Sequence, residues 1–463
     1  MTTQLTIVNH KQTINVKIER MAVYLQSRIV EAIEDNGRCW YLFFYKGQYL
    51  TSTAATKLKR RSFMERAFRD GVVLQAPHPL IGHLLHNHQT CKKTGFQHLT
   101  GKIEKLFTPQ ETAFIATFFE SFVPKRKLFE YIQAIFYEYR RNGQLLSCYR
   151  ILRILMDFAP KQSWVKQLSR DLNFIKYEKL YQSLSPELIK KDSLYAEKKL
   201  YEDLSNDASF QSLIKLLQLQ NRWIDETALW IKRTAETCAD RDYAALSALL
   251  NKHFPQPDAM LVIEQLFHAA PRCEQLRNDL INYYIETKQP NKIIPFMLGR
   301  NFSLTDVQVG KIESLLESLD VAAADMEIEP LNQLAPFFAG HPQLTEKFLQ
   351  TCVTLLFRSH ELPYIAEWLL PFKKPLGSLP VIRKVEKMLE IADDPDHQSE
   401  LGELYYQFKQ YDKAIDCFSW EMELKGSDPN PVKWLSKIYN EMGMKSEYKA
   451  YQNLYIDMEK RRA

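Results

Sequence analysis

The sequence predicts a mostly α protein: a superhelical solenoid of helix hairpins preceded by a small α+β domain. Three observations lead there. Glycine is scarce, at 14 of 463 residues, about 3% where ~7% is usual, which leaves few tight turns for strand hairpins. The C-terminal segment repeats itself at an offset of 34 residues, the spacing of a helix–turn–helix unit. The first residues instead alternate apolar and polar side chains, in QLTIV and TINVKI, as strands do.

Residues 1–110 are expected to form a small basic α+β domain. CWYLFFYKGQYLTS holds two β-rich runs joined at Lys46-Gly47, a plausible hairpin turn. TAATKLKRRSFMERAFRDG reads as one basic amphipathic helix ending at Gly71. Charge is uneven along the chain. Residues 1–160 carry 23 Lys+Arg and 12 Asp+Glu, or +11, which leaves −6 of the total +5 for residues 161–463. The two parts are therefore expected to meet different partners.

Across 111–390 the reading is a series of degenerate helical hairpins. Amphipathic stretches at 208–238, 242–254, 258–270, 304–319, 343–358 and 362–371 alternate with Pro or Asp breaks. HFPQPD and FKKPLGSLP read as turns between stacked units.

Residues 391–463 give the clearest signal. Asp394 aligns with Asp428, Pro395 with Pro429, Leu401 with Leu435, Leu404 with Ile438 and Tyr405 with Tyr439. Asp beside Pro starts a helix, because the carboxylate accepts free N–H groups and Pro fits the first turn. Leu401, Leu404, Tyr405 and Phe408 share one helical face. Gly402 and Ala414 are small where two helices would cross.

The stretch LGELYYQFKQYDKAIDCF resembles a tetratricopeptide repeat (TPR), with Leu401, Gly402, Tyr405, Ala414 and Phe418 at the family's packing positions. The next unit keeps Leu435, Tyr439 and Gly443 but has Ser436, Tyr448 and Gln452 at three signature places, as a terminal unit with a polar outer face would. Weaker copies lie upstream. One has Tyr284, Lys288, Gln289 and Ile293 in place of Tyr405, Lys409, Gln410 and Ala414. Another aligns Ile135, Tyr139, Gly143, Cys148, Leu152 and Pro160 with family positions.

The resemblance implies a non-enzymatic scaffold that holds a partner's peptide or helix against inner-helix side chains. Carried over, those positions are Glu403, Tyr406 and Gln407 in one unit and Lys433, Lys437, Asn440 and Glu441 in the next. Tyr406, Gln407, Lys433, Lys437 and Asn440 are the partner-binding candidates, with Tyr406 supplying apolar contact and the rest polar contact.

Two other clusters compete. Lys57, Lys59, Arg60, Arg61, Arg66 and Arg69, near the aromatics from Trp40 to Tyr49, would suit single-stranded nucleic acid, although such aromatics are more often core. His83, His86, His88 and Cys91 lie in a histidine-rich run, but no Cys-x-x-Cys or His-Glu-x-x-His accompanies them. One turn of amphipathic helix with its histidines in water explains that run equally well, so no metal, cofactor or catalytic residue is assigned. Seven scattered cysteines, no secretory leader pattern and no apolar stretch of spanning length predict a cytoplasmic protein without a membrane span.

Overall fold

The computed structural model describes residues 4–9, 12–55, 57–287, 289, 292–293, 307–308, 310–311, 328–335 and 342–462. The chain forms two compact units, Met1–Arg277 and Asn278–Ala463, dividing at neither 110 nor 390.

The first unit opens with seven strands: β1 (Gln4–Asn9), β2 (Gln12–Tyr24), β3 (Ser27–Glu34), β4 (Cys39–Tyr45), β5 (Gln48–Ala54), β6 (Val72–Gln75) and β7 (Thr90–Lys92). The order is β5-β4-β3-β2-β1-β7, antiparallel except for β1 with β7, and β6 pairs with the distal half of β2. The β4–β5 turn is Lys46-Gly47, both at positive φ (48° and 85°), the backbone a two-residue hairpin needs. Along β4, Tyr41, Phe43 and Tyr45 face the main core and Trp40, Leu42 and Phe44 alternate with them. All six are buried, so both faces of this strand are covered.

Helices follow: α1 (Phe63–Asp70), α2 (Pro79–Leu85), α3 (Phe96–Leu106), α4 (Pro109–Ala116), α5 (Lys125–Arg141), α6 (Leu145–Phe158), α7 (Ser163–Leu168), α8 (Ile175–Leu180), α9 (Pro186–Lys191) and α10 (Ser193–Glu202). Next come α11 (Asp207–Leu219), α12 (Trp223–Thr237), α13 (Asp240–His253), α14 (Gln256–Ala269) and α15 (Glu274–Glu286). One apolar core runs from Ala22 on β2 to Tyr195 on α10, spanning sheet and helices on both sides of residue 110.

Two expected helices are corrected. The basic one begins only at Phe63: Arg61 takes a φ of 59°, which no α-helix allows, and Ser62 caps the helix by accepting the Glu65 N–H. Lys57, Lys59, Arg60 and Arg61 precede it. The stretch 208–238 is two helices, broken where Asn221 turns left-handed at φ 53°.

That break recurs. In the C-terminal unit α16 (Pro342–Leu356), α17 (Leu362–Trp368), α18 (Leu370–Leu376) and α19 (Pro380–Ile391) precede two hairpins, α20 (Gln398–Gln407) with α21 (Tyr411–Leu424) and α22 (Pro429–Glu441) with α23 (Lys445–Arg462). Among the described residues five helices close with the same backbone bond spanning six residues: Gln144 N to Tyr139 O, Arg222 N to Leu217 O, Gln289 N to Tyr284 O, Gln410 N to Tyr405 O and Met444 N to Tyr439 O. Gly143, Asn221, Lys409 and Gly443 supply the left-handed residue before the bond, and each donates its own N–H to a second carbonyl three residues back, so two orphan carbonyls are satisfied at each of these ends. Most of 304–319, Lys288 and 294–298 lie outside the described residues.

A buried charge quartet joins sheet to helices within the first unit. Arg28 on β3 donates to Asp225 on α12 at 2.7 Å. Arg222 donates to the other Asp225 oxygen at 2.7 Å, to Glu197 at 2.6 Å and to the Leu25 carbonyl at 2.7 Å. Leu25 itself stands at φ 52°, a costly position for a bulky residue, and the guanidinium holds its carbonyl there. Gln26 donates to Glu197 at 2.9 Å. All four charged side chains are nearly sealed from solvent, and two cations meet two anions. The charges cancel.

Candidate partner-binding surface

The two C-terminal hairpins start alike. Asp394 and Asp428 have φ/ψ of −93°/111° and −88°/118°, and each carboxylate accepts the N–H two residues on. The apolar faces then pair. Leu401, Gly402, Tyr405, Ala414, Phe418 and Leu435 are buried, while Tyr439 is half-buried and stacks on Tyr451 at 5.2 Å. A Cβ on Gly402 would come within 3.0 Å of the Phe418 ring and 3.1 Å of Cys417 Cβ, so the crossing of α20 and α21 requires glycine's missing side chain. Upstream, Phe357 covers Tyr405 and Phe408, with ring centroids 5.8 and 5.5 Å apart. In the last unit Tyr448 is half-buried and Gln452 exposed.

What remains outward is a mixed aromatic and cationic surface. Trp434 on α22 stacks on Phe418 at 5.5 Å and meets the Tyr406 ring edge-on at 5.2 Å. Lys437 lies 4.5 Å from both the Tyr406 and Trp434 ring centroids, where each ring's negative face attracts it. Tyr406 and Tyr411 both donate to Glu441, the latter at 2.9 Å. Those two hydrogen bonds, Tyr406's first, hold the Glu441 carboxyl below its usual range, with Lys437 and Lys409 adding to the effect. Burial and the Glu441 bond push the Tyr406 phenol up.

Gln407, Lys433, Lys437 and Asn440 are exposed and Tyr406 is half-buried. Among the described residues neither Lys433 nor Lys437 has a carboxylate within ion-pair distance. Tyr406 and Lys437 come together. Gln407 contributes its backbone carbonyl to the Gln350 amide at 3.5 Å. Sequence reasoning did not single out Trp434 or Tyr411, whose contacts cross from one hairpin element to the next.

The histidine-rich run disperses. His78 is buried and accepts the Leu80 N–H as the cap of α2. His83 turns toward Trp223, which stacks on His253 at 4.1 Å. His88 packs on Phe44, and His86 is exposed. Cys91 is buried, and burial pushes its thiol up to about 12, away from the thiolate a metal needs. No metal-holding group of three or more such side chains occurs among the described residues.

Of the basic N-terminal residues Lys57, Arg60 and Arg61 are exposed, and the other three are engaged or partly covered. Arg69 pairs with Glu65 and Asp70, Lys59 approaches Glu120 at 4.0 Å, and Arg66 is half-buried. The aromatics from Trp40 to Tyr45 are core and offer no ring to a base.

No known family model matches the chain, and no curated protein matches it. Among solved structures it is similar to a structure of Naa15/Naa10 bound to HypK-THB, at 10% identity and a TM-score of 0.20, over 78% of this chain and 60% of that chain. It is also similar to the Chs5-Bch1 exomer cargo adaptor complex, at 11% identity and a TM-score of 0.16, over 95% of this chain and 75% of that one. The chain thus spans about 60% of the length of the first. Such scores carry no argument about role. Among the described residues no helix is long and apolar enough to cross a membrane.

Proposed function

We propose that this chain is a non-enzymatic, cytoplasmic interaction scaffold of the tetratricopeptide-repeat type. Residues 391–463 form its binding element. The partner is a protein segment, extended or helical, that brings carboxylates to Lys433 and Lys437 and an apolar side chain to Tyr406 and Trp434. Gln407 and Asn440 flank that contact with amide groups.

The observation that carries the reading is Lys437, exposed and without an ion pair among the described residues, set against the Tyr406 and Trp434 rings of neighbouring hairpins. An interface core of aromatics with a charged rim is what concentrates binding energy in protein complexes. Unpaired cysteines throughout fit a reducing compartment.

The test is co-purification from the native cell with wild type and Lys433→Glu/Lys437→Glu side by side. The expected result is loss of one protein partner, with a thermal melt shifted by no more than a few degrees, since exposed cation–π contacts contribute only about 0.5–1 kcal/mol. Undiminished recovery of every partner would remove this surface from the account.

A further inference from the structure

The first unit balances the charges of its buried quartet but not those of the cleft beside it. That cleft, a small one open to solvent, lies between the β2–β3 turn, α1, α4, α6 and α10. Arg66, Arg150 and Arg153 line it, and none has a carboxylate within ion-pair distance among the described residues. The Nε atoms of Arg66 and Arg150 are buried without any hydrogen-bond acceptor. A buried charged donor left unmade costs more than most single contacts return.

The negative charges nearby are committed elsewhere. Asp157 pairs with Lys198 at 2.6 Å. Asp192 accepts from Tyr181 at 2.5 Å, Gln110 at 2.8 Å and the Tyr195 N–H at 3.0 Å. Among the lining residues three guanidiniums face one carboxylate without an ion pair, Asp192, an excess of positive charge that suits a phosphate monoester. Arg153 is held ready by Tyr195, whose hydroxyl it meets at 3.2 Å and whose ring lies 4.8 Å below it. Much of the remaining lining is apolar; Tyr24 and Leu194 are its half-buried members, whereas Phe63, Phe114 and Phe158 are core rings.

We propose that this cleft binds a small phosphate monoester with an apolar body, its phosphate on Arg66, Arg150 and Arg153 and its body against Tyr24 and Leu194. Guanidinium forks match phosphate oxygens in geometry as well as charge. The site is independent of the C-terminal surface.

The full chain is titrated calorimetrically with phenyl phosphate, inorganic phosphate and benzoate. The expected result is one saturable site that prefers phenyl phosphate to either fragment. Arg66→Gln and Arg150→Gln should each weaken it about tenfold or more, the loss of one charged hydrogen bond. Arg150 also donates to the Lys191 carbonyl, so if its variant melts early, Arg66→Gln alone decides. No saturable heat, equal binding of inorganic phosphate, or unchanged affinity in Arg66→Gln would each overturn the proposal.

Discussion

Arg28 Nε lies 2.7 Å from Asp225 Oδ1, although 197 positions of sequence separate the two residues. This pair and Arg222 with Glu197 form a neutral buried quartet that fastens the sheet to α10 and α12. A buried pair contributes little over an apolar substitute, but removing one partner strands the other. Asp225→Ala should therefore cost about 3–5 kcal/mol, read from urea midpoints. Burial works to raise the Asp225 carboxyl, yet Arg28 and Arg222 together hold it below its ordinary value of 3.8. Its share of the stability is thus present above that value and is lost only as pH falls beneath it. A loss under 1 kcal/mol for the variant would show the quartet to be solvated.

His78 gives a second pH effect of distinct window. It is 4% exposed, caps α2 through Nδ1, and burial pushes its pKa down from 6.5 to about 4. A depressed imidazole binds its proton in the unfolded chain first. Its contribution is therefore complete above pH 6.5, declines between 6.5 and about 4, and totals roughly 3 kcal/mol. His83, His88 and His253 also titrate low, so the comparison must be differential. His78→Asn keeps a capping acceptor but does not titrate. Its stability should approach or pass wild type on acidification from pH 7 to 4.5. Parallel curves would contradict the assignment.

Gly402 tests the helix crossing. Gly402→Val places Cβ 3.0 Å from the Phe418 ring, and overpacking of this kind costs about 1–3 kcal/mol. Gly101 lies inside α3 with nothing within 4 Å of its added Cβ, so Gly101→Ala should stabilise by up to about 1 kcal/mol. Opposite shifts in melting temperature are the expected outcome. A neutral Gly402→Val would mean that the two helices stand further apart.

Legibility followed sequence distance. The 34-residue offset put Asp394 and Asp428 in register, and Gly402 opposite Ala414 and Phe418, because those relations are local and helical. The β4–β5 hairpin was readable from Lys46-Gly47 for the same reason. The start of α1 was not, since Ser62 followed by Glu65 is a short capping signal set within a run of cations that suits a helix equally well. Asn221 likewise interrupts an apolar period that continues on both sides. Contacts at long range left no trace: nothing near Arg28 names Asp225, and nothing near Tyr406 names Trp434. The three arginines of the cleft come from α1 and α6, brought together only by the fold.

The central claim is that a partner lies along Tyr406, Gln407, Lys437 and Asn440. Photo-crosslinking residues placed singly at Gln407, Asn440 and Asp416 in living cells address it most directly, because all three sites are exposed and only the first two adjoin that surface. The expected result is crosslinks to one protein from 407 and 440 and none to it from 416. Crosslinks to that protein from 416 alone would contradict it.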